Sequence, residues 1–380
     1  MIPTRYDGSA MFAFKLNLIL LTAAALGIAQ PPPRDSLVSP EVQPDRKVVF
    51  RIRAPKAERV TLYGSWMPVG AEEPMTKDAS GVWSATLGPL APNGYLYSFT
   101  VDGVTIADPI NPNVKLRQRT SASLLEIPGV TPQPWEIADV PHGTVEQNWL
   151  KSRVISGETR DVWVYLPPGY ETSGSTKYPV LYLLHGSGDI AWSWLQAGRT
   201  NWIMDNLIAA KRAKPMIVVM PLGHAVPFGA APEAQAKNLP LFEEYFLKEI
   251  MPWAESKYQI APGRQNRAIA GLSMGGGQSS NVGFGHLDLF SAIGVFSSSG
   301  GGAFEEKHKA ALADAKTTNS KIAVFWIATG KGDAGLERTH QFRDLLNKHG
   351  IRHTYQETDG GHVWSVWRWC LAEFVPTLFR

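Results

Sequence analysis

Ser273 lies in Gly271-Leu272-Ser273-Met274-Gly275, a Gly-x-Ser-x-Gly pentapeptide. The residues before it, Arg267-Ala268-Ile269-Ala270, read as a strand, and 275–281 read as the start of a tightly packed helix. A strand–turn–helix is the setting that a nucleophile elbow requires. The turn is strained at the serine, and small flanking residues let the chain fold back without a clash. The hydroxyl then points into a cleft. The helix N-terminus behind it adds positive potential where an oxyanion forms. The alternative without chemistry is a glycine-rich turn between strand and helix.

A serine hydroxyl is a weak nucleophile near neutral pH and needs a base. The chain offers nine histidines. His362, in Asp359-Gly360-Gly361-His362-Val363-Trp364, follows the expected strand 352–357 in a glycine-containing loop near the C-terminus. That position also permits the chain order Ser, acid, His. His340, His349 and His353 fall on an expected amphipathic helix and its exit, and read as solvated.

The acid should then lie between serine and histidine. Gly330-Lys331-Gly332-Asp333 follows the apolar strand expected over 322–329. A carboxylate there can reach the far imidazole nitrogen, fix the tautomer and stabilise the imidazolium. Asp344 and Asp314 fall in helical stretches. Asp359 is close to His362 in sequence and is the second choice. Two backbone donors must face an oxyanion. One is expected from the amide of Met274, the residue after the nucleophile. The other is expected from the loop His185-Gly186-Ser187-Gly188, with the Ser187 amide first and Gly186 next. His185 itself reads as a hydrogen-bonding residue of the loop that transfers no proton.

Positioning these groups calls for an α/β sheet with helices on both faces. From about Trp149, buried-type strands (161–166, 178–184, 215–220, 268–270, 292–296 and 322–328) alternate with amphipathic helices such as 241–257 and 338–348. Pro252 is an expected kink in the first of these helices. Ahead of this region, 47–128 is all-β in character, with alternating runs at 50–53, 59–63, 83–87 and 95–101. Ala91-Pro92-Asn93-Gly94 and Asp102-Gly103 mark turns between them, which suggests a small immunoglobulin-like β-sandwich. Residues 129–148, proline-rich and without a period, read as a linker.

The chain has 380 residues, 44% apolar and 19% charged, a globular composition that excludes a wholly disordered protein. The 37 basic and 34 acidic residues leave +3, and no run of four basic residues occurs, which argues against a nucleic-acid binder. The single cysteine, Cys370, excludes an internal disulfide and a cysteine-rich metal cluster, and reads as a buried thiol in the last helix. Met11 to Ala29 resembles an export signal: Lys15, an apolar core over 16–26, and small residues at Gly27 and Ala29. The core is short for a membrane span. Cleavage after Ala29 would leave 30–46, opening on Gln30-Pro31-Pro32-Pro33, as a solvated tether. The expected destination is the periplasm or the exterior, with no membrane contact after cleavage.

Residues 149–380 resemble the esterase branch of the α/β-hydrolases, the family of feruloyl esterases (carbohydrate esterase family one). Enterochelin-esterase-like proteins and mycolyltransferases are its relatives. The stretches that carry the resemblance are RDVWVYLPPGY from Arg160, YPVLYLLHGSG from Tyr178, GLSMGG from Gly271, GKGD from Gly330 and GGHVWSVW from Gly360. The resemblance implies that Ser273, Asp333 and His362 form the family triad, and that acyl transfer to water proceeds with no metal or other cofactor. Residues 47–128 resemble the early-set sandwich related to glycogen-binding modules, through VTLYGSW from Val60 and YLYSFTVDGVTIADP from Tyr95. Trp66 and Trp83 are either a sugar platform or part of a small core, and the core reading is taken here.

The acyl group is less defined. Trp192 and Trp194 follow the oxyanion loop and are expected to wall an acyl pocket, and His224 follows a strand's C-terminal end, where α/β ligands sit. An aromatic slot suits a feruloyl or coumaroyl ester of a cell-wall saccharide. An acetylated glycan or a siderophore ester are alternatives, and the latter calls for basic side chains that form no cluster in the sequence. An acyltransferase and a non-catalytic glycan-binding protein are alternatives of another class.

Overall fold

The structure is a computed structural model that describes residues 37–171 and 174–380. The export signal expected over 1–29 and the first part of the tether lie outside the described residues. Among the described residues, no helix is long and apolar enough to cross a membrane.

The N-terminal part is a two-sheet sandwich, with every strand pair antiparallel. One sheet runs Glu41–Val42, Val48–Arg53, Val82–Leu87, Thr76–Lys77. The other runs Glu73–Pro74, Val60–Gly64, Asn93–Val101, Ala122–Ile127, Val114–Lys115. Val48, Phe50 and Ile52 alternate inward and meet Leu62, Tyr97, Phe99 and Leu125 between the sheets. Trp66 stacks on Phe50 at 5.7 Å, and Trp83 is buried with its indole N–H donating to the Ala54 carbonyl at 2.9 Å. Both tryptophans are therefore core.

The C-terminal part is an eight-stranded sheet in the order Thr144–Lys151, Thr159–Leu166, Ile217–Pro221, Val180–Leu184, Arg267–Leu272, Ala292–Phe296, Val324–Gly330, Thr354–Thr358. From Ile217–Pro221 onward every pairing is parallel. Covering both faces with helices explains why the central strands read as unbroken apolar runs. In Val180–Leu184 the alternation still sorts the side chains. Val180, Tyr182 and Leu184 join one core, and Leu181 and Leu183 join the other. This strand is flanked by Ile217–Pro221 on one side and Arg267–Leu272 on the other. That makes its C-terminal end a switch point, where open α/β sheets form their binding crevice.

Two expected boundaries shift. The linker expected to 148 ends earlier, because Thr144–Lys151 is already the edge strand of the large sheet. Its residues are mostly polar and exposed, so no apolar period announces it. The tether expected to 46 likewise contains the sandwich strand Glu41–Val42. In the helical region before Lys257, Asn238–Tyr245 and Met251–Lys257 are joined by the π-helical turn Phe246–Ile250. The wide turn directly precedes Pro252, whose ring and missing N–H cannot continue a regular helix.

Charge pairs join the sandwich to the large sheet. Arg368, on the helix Trp364–Phe374, is 1% exposed and donates to both Glu126 carboxylate oxygens at 2.8 and 3.0 Å and to the Ala197 carbonyl at 2.6 Å. Replacing Glu126 by alanine leaves a buried guanidinium without its anion. Because Glu126 is itself partly exposed, the expected cost is about 2 kcal/mol, below the range for a fully buried pair. The urea-unfolding midpoint of Glu126→Ala should fall accordingly, and the added change Arg368→Met should recover part of the loss.

Candidate active site

Ser273 follows the strand Arg267–Leu272 and caps the helix Met274–Gly285. It stands at φ 52° and ψ −116°, a sparsely populated conformation for a residue with a Cβ. Three hydrogen bonds hold it there. Its N–H donates to Phe296 O at 2.9 Å, and its carbonyl accepts from the Gly277 N–H at 3.0 Å and the Ser298 hydroxyl at 2.7 Å. The turn also needs glycine at 275, where a Cβ would come within 2.5 Å of Leu184 O and 2.6 Å of His185 O.

The structure brings Ser273, His362 and Asp333 together. His362 Nε2 lies 3.0 Å from Ser273 Oγ, and its Nδ1 lies 2.8 Å from Asp333 Oδ2. The imidazole stands edge-on to the Trp367 ring, with centroids 5.0 Å apart. Asp333 is buried, and its other oxygen accepts from the Gly335 amide at 2.7 Å. Burial pushes its pKa up, but the hydrogen bond and charge of His362 and the Gly335 amide outweigh it and hold the carboxyl below its ordinary value. The loops carrying acid and base are bonded to each other, through the Lys331 amide to Thr358 O and the Gly332 amide to Gly360 O, both at 2.8 Å. Asp359, the second choice, is exposed and pairs with Lys331 at 2.9 Å. His340 and His349 pair with Glu357 and Glu305.

The loop 185–189 arches over the nucleophile. A Cβ at Gly186 would meet Leu272 Cδ1 at 2.5 Å and Ser273 Cβ at 3.3 Å, so a larger residue would have to displace the Leu272 side chain. The Ser187 amide makes no backbone hydrogen bond among the described residues. The Met274 amide opens its helix, where the first N–H groups have no partner within the helix. Two histidines hold the loop from behind. His185 Nδ1–H donates to Gly186 O at 2.9 Å, and its Nε2 accepts from the Gly223 amide at 2.8 Å. His224 Nε2 accepts from the Gly188 amide at 3.0 Å. Burial lowers both pKa values to about 4, so both rings are neutral at neutral pH.

Three expected substrate contacts are corrected. Trp194 is fully buried, its indole N–H donating to Leu184 O at 2.9 Å, and it is part of the core. Trp192 stacks on Trp163 at 5.4 Å. His224 anchors the loop and does not line the cleft. In each case the strand end is the right place, but the side chain turns into the packing behind it.

The cleft itself is a cavity of about 330 Å³ lined by Ser187, Ser273, His362, Trp364 and Trp367 on one side. On the other side the sandwich supplies residues that include Thr105, Lys115 and Arg117. Trp364 and Trp367 carry a weak sequence signal, an i, i+3 pair that shares one helix face. Nothing local marked the sandwich residues. A larger open groove of about 1510 Å³ lies among Arg264, Ser291, Ile322 and Arg352. Of its four arginines, Arg264 and Arg352 are committed to backbone carbonyls. Among the described residues, no group of three or more His, Cys, Asp or Glu could hold a metal ion.

Residues 152–378 match the family described as "Putative esterase", and residues 38–113 match carbohydrate-binding module 48, the isoamylase N-terminal domain. A Xylanibacter ruminicola protein named endo-1,4-beta-xylanase/feruloyl esterase is 32% identical over 352 residues, covering 90% of this chain. The match spans 46% of that relative's length. The ferulic acid esterase of Anaeromyces mucronatus, solved with ferulic acid, is 27% identical with a TM-score of 0.58, covering 67% of this chain and 98% of that one. The enterobactin esterase of Shigella flexneri, solved in the presence of enterobactin, covers 87% of this chain and 92% of its own at a TM-score of 0.62 and 19% identity. That last likeness is one of fold.

The neutral histidines make the loop acid-sensitive. In the unfolded chain His185 and His224 take up protons near pH 6.5, whereas in the folded protein they do so near 4. Unfolding therefore binds protons across this window, so stability is lost as pH falls through it. The thermal midpoint should drop between pH 7 and pH 5, and His224→Gln should make that dependence shallower.

Proposed function

The chain belongs to the esterase family, and from that premise we propose that it is a carboxylic ester hydrolase that releases ferulic or a related hydroxycinnamic acid from plant cell-wall polysaccharide. The observation that carries the reading is the hydrogen-bonded series Ser273–His362–Asp333 at the mouth of a cavity walled by Trp364 and Trp367. A cavity of this size, with aromatic rings on one wall and polar side chains on the other, suits one aryl acyl chain. The names of the Xylanibacter and Anaeromyces relatives support the same substrate class.

In this mechanism Ser273 Oγ attacks the ester carbonyl carbon while His362 Nε2 takes the hydroxyl proton. Asp333 holds Nδ1–H and stabilises the imidazolium. The carbonyl π electrons move to oxygen, and the amides of Met274 and Ser187 receive the oxyanion. Collapse breaks the bond to the sugar oxygen, which leaves with the proton from His362. Water then repeats the sequence on the acyl-enzyme and frees the acid. His185, neutral with both ring nitrogens bonded, and His224, neutral with its Nε2 bonded to the loop, take no proton. The module at the N-terminus supports contact with the saccharide. The export signal expected over 1–29 supports a place in the periplasm or outside the cell, where such polymers are met.

A second reading has a specific observation behind it. Arg117 is exposed at the cleft and makes no hydrogen bond or ion pair among the described residues, close to Lys115. An exposed guanidinium at the cleft favours an ester that bears an anionic group, as a catecholate siderophore ester does.

The test is hydrolysis of methyl ferulate, feruloylated arabinoxylan fragments and a 2,3-dihydroxybenzoyl-serine ester. Ferulate release by the wild type, with kcat lower by about 10⁶-fold in Ser273→Ala, is the expected result. Preference for the catecholate ester, with KM for it raised in Arg117→Ala, would favour the second reading. Ferulate release undiminished in Ser273→Ala would reject the serine mechanism.

A further inference from the structure

Four contacts tie the sandwich to the loop that follows Val180–Leu184. The Gln118 amide donates to Gly188 O at 2.9 Å, and the Leu116 amide donates to Gln196 Oε1 at 3.0 Å. The Gln196 side-chain amide donates to Val114 O, and Lys115 Nζ pairs with the Asp189 carboxylate. The segment 114–118 thus runs beside 186–196. Lys115 is 1% exposed and Asp189 5%. Burial lowers the Lys115 pKa from its ordinary value, and Asp189 opposes that fall.

Lys115 also reaches the other half of the site. Its ammonium lies 5.4 Å from the centre of the Trp364 ring. Trp364 stands edge-on to Trp367 at 5.2 Å, and Trp367 stands edge-on to His362 at 5.0 Å. One side chain from the sandwich therefore touches both the loop that carries Ser187 and the aromatic support of His362.

We propose that Lys115 is a positioning residue for the reaction: paired with Asp189, it fixes the 186–189 loop over Ser273, so the sandwich is part of the catalytic apparatus and not a separable glycan-binding appendage. The proposal rests on the acyl-transfer reading of Ser273. Its physical basis is charge. Asp189 Oδ2 lies 3.7 Å from where a Cβ on Gly186 would stand, beside the region in which the oxyanion develops. Without Lys115 the buried carboxylate either opposes that charge or swings toward water and draws the loop with it. Both outcomes weaken the transition state more than the bound ester. A separable module would show its effect only on polysaccharide, and in KM.

The full chain, Lys115→Met and Lys115→Met/Asp189→Asn are compared on methyl ferulate, which carries no sugar. Their rates of phosphonylation at serine by a fluorophosphonate, which releases fluoride, are measured alongside. The expected result is a kcat lower by about 10- to 100-fold in Lys115→Met with KM nearly unchanged, since misplacing a catalytic group by an ångström costs on this order. The double variant, which has no buried charge, should recover at least half of the loss on a logarithmic scale, and phosphonylation should follow kcat. Wild-type kcat in Lys115→Met overturns the proposal, as does a double variant as slow as the single one. If Lys115→Met does not fold, Asp189→Asn breaks the same pair from the loop side. It should lower kcat at constant KM, and an unchanged kcat overturns the proposal. If the wild type is phosphonylated but hydrolyses no ester offered, the substrate reading fails while the probe rates still decide the role of Lys115. If it reacts with neither, the acyl-transfer reading falls and takes this proposal with it.

Discussion

Ser273 is held at φ 52°, a conformation that costs a side-chain-bearing residue on the order of 1–3 kcal/mol. That cost is met by packing that leaves the turn no alternative. Gly275 lies against the carbonyls of Leu184 and His185, so the serine turn and the start of the 185–189 loop form one packed unit. The strands beneath, Arg267–Leu272 and Val180–Leu184, are adjacent and parallel, which delivers both segments to the same end of the sheet. The base and acid arrive by the same logic from the ends of Thr354–Thr358 and Val324–Gly330, two further parallel neighbours. The hydroxyl, the imidazole and the loop amides meet because the sheet register allows only that end as a cleft.

Around this unit the protein separates two electrostatic environments. His185 and His224 are buried and neutral, and each accepts a backbone N–H at its Nε2. His362 is partly exposed and faces a buried carboxylate. The same residue type thus braces a loop from behind in one place and bridges Ser273 and Asp333 in the other, and burial and the presence of Asp333 make the difference. Two buried cations are paired, Arg368 with the partly exposed Glu126 and Lys115 with the buried Asp189, and both pairs cross between sandwich and sheet. Each demands one relative placement of its partners, so the two domains present a shared wall to the cleft.

Much was legible from local pattern. Gly-x-Ser-x-Gly between an apolar strand and a small-residue helix, His362 in its glycine loop, and Asp333 just past an apolar strand are short-range signatures. They depend on the backbone geometry of the turn on which each sits, and a few adjacent residues encode that geometry. Period-2 alternation located the main strands of the sandwich, and unbroken apolar runs located the buried strands of the large sheet. Thr144–Lys151 escaped because an exposed edge strand has little apolar content to alternate.

What the tertiary structure alone decided is which side chains face the cleft. Trp194 and Trp364 are both tryptophans at strand-to-helix junctions. Both pack in one core, edge-on to each other at 5.2 Å, but only Trp364 also lines the cavity, a difference set by the packing of distant segments. Lys115 and Asp189 are 74 residues apart and belong to different domains. No period or motif links them, because the docking of one folded surface on another creates their contact. The sequence by itself determined the reacting groups and the sheet that carries them, since both are set by interactions between near neighbours along the chain. The walls of the site, and the part the sandwich plays in them, were decided by long-range packing, in which the partner of a residue depends on everything else having folded first.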